Sequence, residues 1–302
     1  MRKHQILTIG ECMVEMAPRQ DEAYNRNFAG DSFNTAWYLR QLLPGDDQVG
    51  YCSAVGTDGI SNAMLAFMQA AGISTHAVRR IPNRTVGLYM IELANGERSF
   101  SYWRGESAAK LLAEDRTFLS EAVAGQDLVL FSGITLAILS ETHRQQLLNV
   151  LGEARARGTT IAFDPNMRLR LWPDQQTMCR AVSDAAKLAD IVLPSFDEDG
   201  PNYQDASPQA TIERYIAGGA KCVVVKNGPD RIHAFSEEEG HVVFDPVPVD
   251  AVVDTTAAGD SFNAGFLAAR LTGSAMVEAL AKGASVSAQV IKSRGALVAI
   301  EG

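Results

Sequence analysis

The run Val253-Asp254-Thr255-Thr256-Ala257-Ala258-Gly259-Asp260 carries the densest chemical signal in the chain. Small residues there lead into a helical pattern, Ser261 to about Leu271. The first N–H groups of a helix lack intrahelical partners, and residues this small leave them uncovered, so the turn can cup an anion. Asp260 sets a carboxylate, the natural acceptor of a hydroxyl proton, beside that cup. A phosphate held next to a base implies phosphoryl transfer to an alcohol. A first-turn Asp also serves a helix as a cap and dipole partner, which would suffice for a lone Gly-Asp pair.

Other polar groups stand where strand-like runs stop. Asp164, Asn166 and Arg168 follow Thr160 to Phe163. They suit hydroxyl, metal-water and phosphate contacts, or a plain Asp-Pro turn with a solvated Arg. Leu193-Pro194-Ser195-Phe196-Asp197-Glu198 ends the next strand, and Val223-Val224-Val225-Lys226-Asn227-Gly228 the one after. Gly228 admits close backbone approach, while Lys226 is either a nucleotide contact or a surface charge. No GxxxxGK[ST] loop and no spaced GxGxxG occurs, so neither a P-loop enzyme nor a dinucleotide-binding protein is supported.

The octet 253–260 resembles the signature of the ribokinase/PfkB sugar-kinase family. Far upstream, Ala29-Gly30-Asp31-Ser32-Phe33-Asn34-Thr35-Ala36 is similar to that family's N-terminal signature, where a Gly-rich turn meets the sugar. The resemblance implies a ribokinase-like α/β fold: a doubly wound, mostly parallel sheet with helices on both faces and a small β-sheet lid. It implies ATP as phosphoryl donor and Asp260 as proton acceptor. The amides of Ala257, Ala258 and Gly259 then form the anion hole, with Thr255 and Thr256 near the triphosphate. Gly30, Asp31 and Asn34 fall to the sugar, and Asn166, Ser195, Lys226, Gly228 and Ser287 to the nucleotide. Ser287 lies on a helix whose one face is small, Gly283 to Ala288. Carbonyls around Asp254 and Thr256 resemble the family's monovalent-cation (K+) loop. The family usually carries Asn-x-x-Glu where this chain has Ser195-Phe196-Asp197-Glu198, so the acid is kept and the amide lost; Glu198 is assigned to Mg2+ through water.

Tyr102-Trp103-Arg104 would offer a sugar stacking surface and a cation. With Tyr89 on the partnering strand and Arg168 opposite, the pocket suits an acidic sugar. Together with Gly10 to Glu15, the pattern is most similar to the family's acidic-sugar kinases, which implies the terminal (6-) hydroxyl of 2-keto-3-deoxygluconate as acceptor. A kinase of the same fold for fructose or ribose, and a non-catalytic sugar or nucleotide sensor, are the alternatives. Tyr102 and Trp103 also suit lid packing or a dimer contact, and a homo-oligomer is expected.

These residues need a scaffold. Apolar runs alternate with helical patterns, as in Ile6 to Ile9 then Ser32 to Leu43, and Leu128 to Phe131 then Glu141 to Ala156. Repeated βα units build a parallel sheet whose sites lie beyond its C-terminal strand edge. From about Thr75 to Trp103 the alternation breaks: two strand-like runs flank Ala94-Asn95-Gly96-Glu97, a hairpin signal. The expected organisation is one domain, 1–302, with lid strands from about 11–30 and 75–104 inserted. At 302 residues, 46% hydrophobic and 21% charged, the chain is ordinary for a globular enzyme, and its net charge of −9 argues against a nucleic-acid or membrane-surface protein. Cys12, Cys52, Cys179 and Cys222 show no ligand spacing, and the five His are scattered, which suggests reduced thiols in a cytoplasmic protein without a transition-metal site.

Overall fold

The computed structural model describes residues 3–19, 23–94 and 97–301. The first half runs β1 (Gln5–Ile9), β2 (Met13–Pro18), β3 (Tyr24–Ala29), α1 (Asp31–Leu42), β4 (Gln48–Val55), α2 (Gly59–Ala70), β5 (Val78–Arg80), β6 (Leu88–Ala94) and β7 (Glu97–Trp103). Then come α3 (Arg116–Val123), β8 (Leu128–Ser132), α4 (Gly133–Ile138), α5 (Glu141–Ala156), β9 (Thr160–Asp164), α6 (Gln175–Leu188) and β10 (Ile191–Val192). The last part comprises α7 (Phe196–Tyr203), α8 (Pro208–Ala217), β11 (Cys222–Val225), β12 (Ile232–Ser236), β13 (Gly240–Phe244), α9 (Ala258–Leu271) and α10 (Met276–Val290).

Nine strands form one sheet in the order β13-β12-β11-β10-β9-β8-β1-β4-β5. All its pairings are parallel except β11–β12 and β12–β13, which make an antiparallel edge. Successive strand residues point to opposite faces, and here both faces are dry. Ile6, Leu128 and Leu130 pack on one side with α1, α9 and α10, while Leu7, Val129 and Phe131 pack on the other with α5 and α6. That explains the continuous apolar runs, since a sheet covered on both sides has no polar face to alternate with.

A second, smaller sheet, β3-β2-β6-β7, is built from the segments expected to form a lid. Its strands fall within the expected 11–30 and 75–104, but Val78–Arg80 pairs instead with β4 at the edge of the main sheet. Burial of Val78 and a hydrogen bond from Arg79 to the carbonyl of Leu111 fix it there. The expected turn residues Asn95 and Gly96 lie outside the described residues, although β6 and β7 pair antiparallel from Leu88–Trp103 to Ala94–Glu97. Among the described residues, no helix is long and apolar enough to cross a membrane.

Candidate active site

Five neighbouring parallel strands, β11, β10, β9, β8 and β1, end on one edge of the sheet. Lys226, Ser195, Asp164 to Asn166, Ser132 and Glu11 stand at or just beyond those ends. Helices α1 and α9 converge on the same edge: the side-chain amide of Asn34 donates to Asp260 Oδ2 at 2.8 Å, and the Thr35 hydroxyl to the Asp260 carbonyl at 3.3 Å. The entry to α1 demands glycine, because a Cβ on Gly30 would lie 2.1 Å from the carbonyl oxygen of Glu11.

Three carboxylates, Asp31, Asp164 and Asp260, line one small cavity with Ser32, Thr35 and Ser132. Burial drives the Asp260 carboxyl up to about 8, helped by the charges of Asp31 and Asp164, while the Asn34 hydrogen bond and Lys226 pull it back. Burial also raises Asp31, which accepts a 3.0 Å hydrogen bond from the Asn166 side-chain amide. A carboxylate poised near neutrality is a competent general base.

At the start of α9, Ala257 adopts the left-handed conformation, φ 59°, unusual for a residue with a side chain. The expected anion hole is modified there. The Ala258 amide is turned to the Thr255 carbonyl at 3.2 Å, whereas the amides of Ala257 and Gly259 meet no acceptor among the described residues. Thr255 is exposed and Thr256 half-buried. Asp254 holds this loop, accepting from the Thr256 amide and hydroxyl and, with its other oxygen, from the Gly295 amide at 2.7 Å.

Lys226 is buried, which removes the surface-charge alternative. Its ammonium donates to Asp164 Oδ2 at 3.3 Å and Asn263 Oδ1 at 3.1 Å, and Asn263 in turn donates to Asp164 Oδ2 at 2.6 Å. Asn263 was not singled out from the sequence; its signal is position, one helical turn beyond Asp260 on the same face. Gly228 takes φ 55° in the turn after β11, with open space where a Cβ would stand. Ser287 lies half-buried on α10, and the small face it belongs to serves first for helix packing. A Cβ on Gly265 of α9 would come within 2.9 Å of the Cα of Gly283.

Ser195 ends β10's connection as the residue before α7 without capping it, and Glu198 sits in the helix's first turn. Glu198 accepts from the Met167 amide at 2.9 Å and pairs with Arg168, so the residue expected at the sugar meets the acid expected at Mg2+. Burial raises the Glu198 carboxyl and the Arg168 guanidinium opposes it. The buried Asn166 Oδ1 finds no hydrogen-bond partner. An unfilled amide oxygen and one carboxylate match how proteins hold Mg2+, which keeps most of its water and takes few protein ligands.

In the lid, Tyr89 and Tyr102 face each other across β6 and β7 with ring centroids 5.9 Å apart. The Tyr89 hydroxyl donates to the buried Glu15 carboxylate, and burial first, then the Glu15 charge, raises the phenol well above its usual range. Arg170, overlooked in the sequence among a run of alternating Arg and Leu, lies 4.3 Å over the Tyr102 ring and bonds its hydroxyl, joining lid to sheet. Arg104 is paired with Glu11, which is 1% exposed, and its Nε is buried without an acceptor.

Comparison with known proteins agrees with this geometry. A family model described as pfkB family carbohydrate kinase matches residues 3–301. The chain is 39% identical to the 2-dehydro-3-deoxygluconokinase of Escherichia coli (strain K12), covering 97% of each. It is 38% identical to the protein of that name from Dickeya dadantii (strain 3937), over 100% of this chain and 99% of the other. A solved structure, the PfkB protein from Polaromonas sp. JS666, superposes with a TM-score of 0.83 at 28% identity, covering 96% of both chains. With its two signature turns meeting at one strand edge, this chain belongs to the pfkB family of carbohydrate kinases.

Proposed function

We propose that the protein transfers the γ-phosphoryl group of ATP to the 6-hydroxyl of 2-keto-3-deoxygluconate, the same compound as 2-dehydro-3-deoxygluconate. The observation that carries this reading is the Asp260 carboxylate, held by Asn34 from the sugar-side helix, one residue beyond the unengaged amide of Gly259. Full-length relatives bearing that enzyme name supply the substrate.

Asp260 accepts the hydroxyl proton as the oxygen attacks. The amides of Ala257 and Gly259 meet the negative charge on the transferring group, where fixed donors act without reorganising. Glu198 and Asn166 would hold Mg2+, which when bound neutralises charge between the phosphates. Gly228 lets the nucleotide approach the backbone, and Asp31 binds sugar hydroxyls. The unsatisfied Arg104 Nε is a donor in want of an acceptor, and the substrate carboxylate fits it. Closure of the lid excludes water, which would otherwise compete for the phosphoryl group. The loop pinned by Asp254 is suited to a monovalent cation such as K+. Trp103, Phe100 and Tyr24 expose apolar surface on the outer strands of the lid, which supports a homo-oligomer joined there.

The test is ATP turnover with a panel of 2-keto-3-deoxygluconate, its galactonate-derived epimer, fructose and ribose. A kcat/KM for the keto acid at least tenfold above that for either neutral sugar upholds the reading. Equal or higher values on fructose or ribose replace the substrate but not the kinase, and no turnover on any sugar favours a sensor.

A further inference from the structure

Lys226 is 8% exposed, and a buried ammonium is retained only where something compensates it. Asp164 is the obvious partner, yet both its oxygens already accept hydrogen bonds without the lysine. Its Oδ1 accepts from the Asn166 amide at 3.1 Å and its Oδ2 from Asn263 at 2.6 Å. The lysine approaches that same Oδ2 only to 3.3 Å, longer than an ion pair built for its own sake. An ammonium has three donors, and the structure shows acceptors for two, Asp164 and Asn263. The third is placed by a separate observation. Among the described residues, and leaving aside the neighbouring backbone of α9 itself, Lys226 Nζ is the atom nearest the space a Gly259 side chain would fill, 3.6 Å from that Cβ position. No side chain of Gly259 therefore intervenes between the ammonium and the first turn of α9.

We propose that Lys226 is a catalytic residue, donating a hydrogen bond from Nζ to an oxygen of the transferring phosphoryl group. The inference rests on the kinase reading above and adds a full positive charge to a hole otherwise made of backbone amides. In the step, the sugar O6 forms a bond to the γ-phosphorus while the bond from that phosphorus to the bridging oxygen breaks. Its electron pair leaves with ADP, and the hydroxyl proton passes to Asp260. Lys226 keeps all its protons and follows the charge spreading over the equatorial oxygens. Asp164 and Asn263 are positioning residues, fixing the ammonium by two of its three donors.

The competing account is that Lys226 only neutralises Asp164. A double change separates the two, because Lys226→Met alone strands a buried carboxylate whereas Lys226→Met with Asp164→Asn restores neutrality. We expect the double variant to recover thermal stability over Lys226→Met and to bind ATP within about threefold of the parent. Its kcat should nonetheless fall by about 10²–10³, the usual effect of losing one donor to developing charge. Recovery of kcat to within threefold of the parent would overturn the proposal, as would a loss confined to the KM for ATP. Lys226→Gln, which keeps a donor for Asp164 but no charge, serves if the double variant does not fold. A comparable fall in its kcat supports the assignment, and a parent-like kcat contradicts it. All variants are measured with whichever sugar the parent phosphorylates, so a wrong substrate would show in the parent and leave the result on Lys226 readable.

Discussion

The side-chain amide of Asn34 donates a 2.8 Å hydrogen bond to Asp260, a residue 226 positions later in the chain. The two residues lie in the first turns of different helices, α1 and α9. Their bond therefore joins the two signature segments and holds the proposed base beside the turn proposed as the anion hole. It also offsets part of the burial that lifts the Asp260 carboxyl, leaving it near 8 and not higher.

The pH dependence of kcat/KM should report that carboxyl. A base must be deprotonated to act, so with Asp260 at about 8 the rate should fall about tenfold per pH unit on the acid side of that value. Asp260→Asn should show no such limb. Retention of the acid limb in the variant would assign it to another group.

Stability should move the opposite way. Folding raises the Asp260 carboxyl from 3.8 to about 8, so the folded protein holds that proton more tightly than the unfolded chain. The associated stability is fully present below 3.8 and is lost as pH rises through about 8. Asp260→Asn removes this loss, so its Tm should exceed the parent's by a margin that widens between pH 5 and pH 8, roughly the window linkage gives for such a shift. A variant less stable than the parent at pH 8 would show that the carboxylate is a structural requirement.

Replacing Glu198, the acid proposed for Mg2+, should alter magnesium dependence before sugar affinity. Glu198→Gln leaves Arg168 without its carboxylate partner and weakens attraction for a hydrated cation. The Mg2+ concentration for half-maximal rate should rise about 10- to 100-fold, with the KM for the keto acid nearly unchanged. An unaltered titration would move the role to Asp164 or Asp197.

The Arg104–Glu11 pair gives the simple change Arg104→Ala a large structural cost. Arg104→Ala strands a carboxyl that is 1% exposed, so stability should drop by about 3–5 kcal/mol. Arg104→Met combined with Glu11→Gln avoids this, and is expected to lower kcat/KM for the keto acid by about 10- to 150-fold, the worth of one charge-assisted hydrogen bond. Activity on fructose should hardly change. Equal losses on both sugars would make Arg104 a lid support.

The parallel sheet was readable because its buried strands are mostly apolar runs and several helices carry a capping residue at their start; Glu141–Ala156 is found where its pattern puts it, capped by Ser140. The β12–β13 hairpin escaped notice, since Ile232–Ser236 and Gly240–Phe244 mix His, Ser and Phe on a half-exposed edge where alternation is weak. The signatures at 29–36 and 253–260 marked the site. What they could not convey is which partners the side chains choose. The pairing of Arg168 with Glu198, Arg104 with Glu11 and Lys226 with Asp164 joins residues of elements far apart in the chain, and such contacts follow from how strands and helices are arranged in space, which local spacing does not encode.

The central claim is that Asp260 takes the proton of the sugar hydroxyl, and a single substitution addresses it. Asp260→Asn keeps the shape of the side chain, so nucleotide and sugar should bind within a few-fold of the parent while kcat falls by about 10²–10⁴, the contribution of a positioned base. Measuring both ligand affinities and the single-turnover rate on one preparation separates the two effects. A rate within threefold of the parent, with intact binding, would contradict the mechanism and leave Asp260 a helix-capping acid.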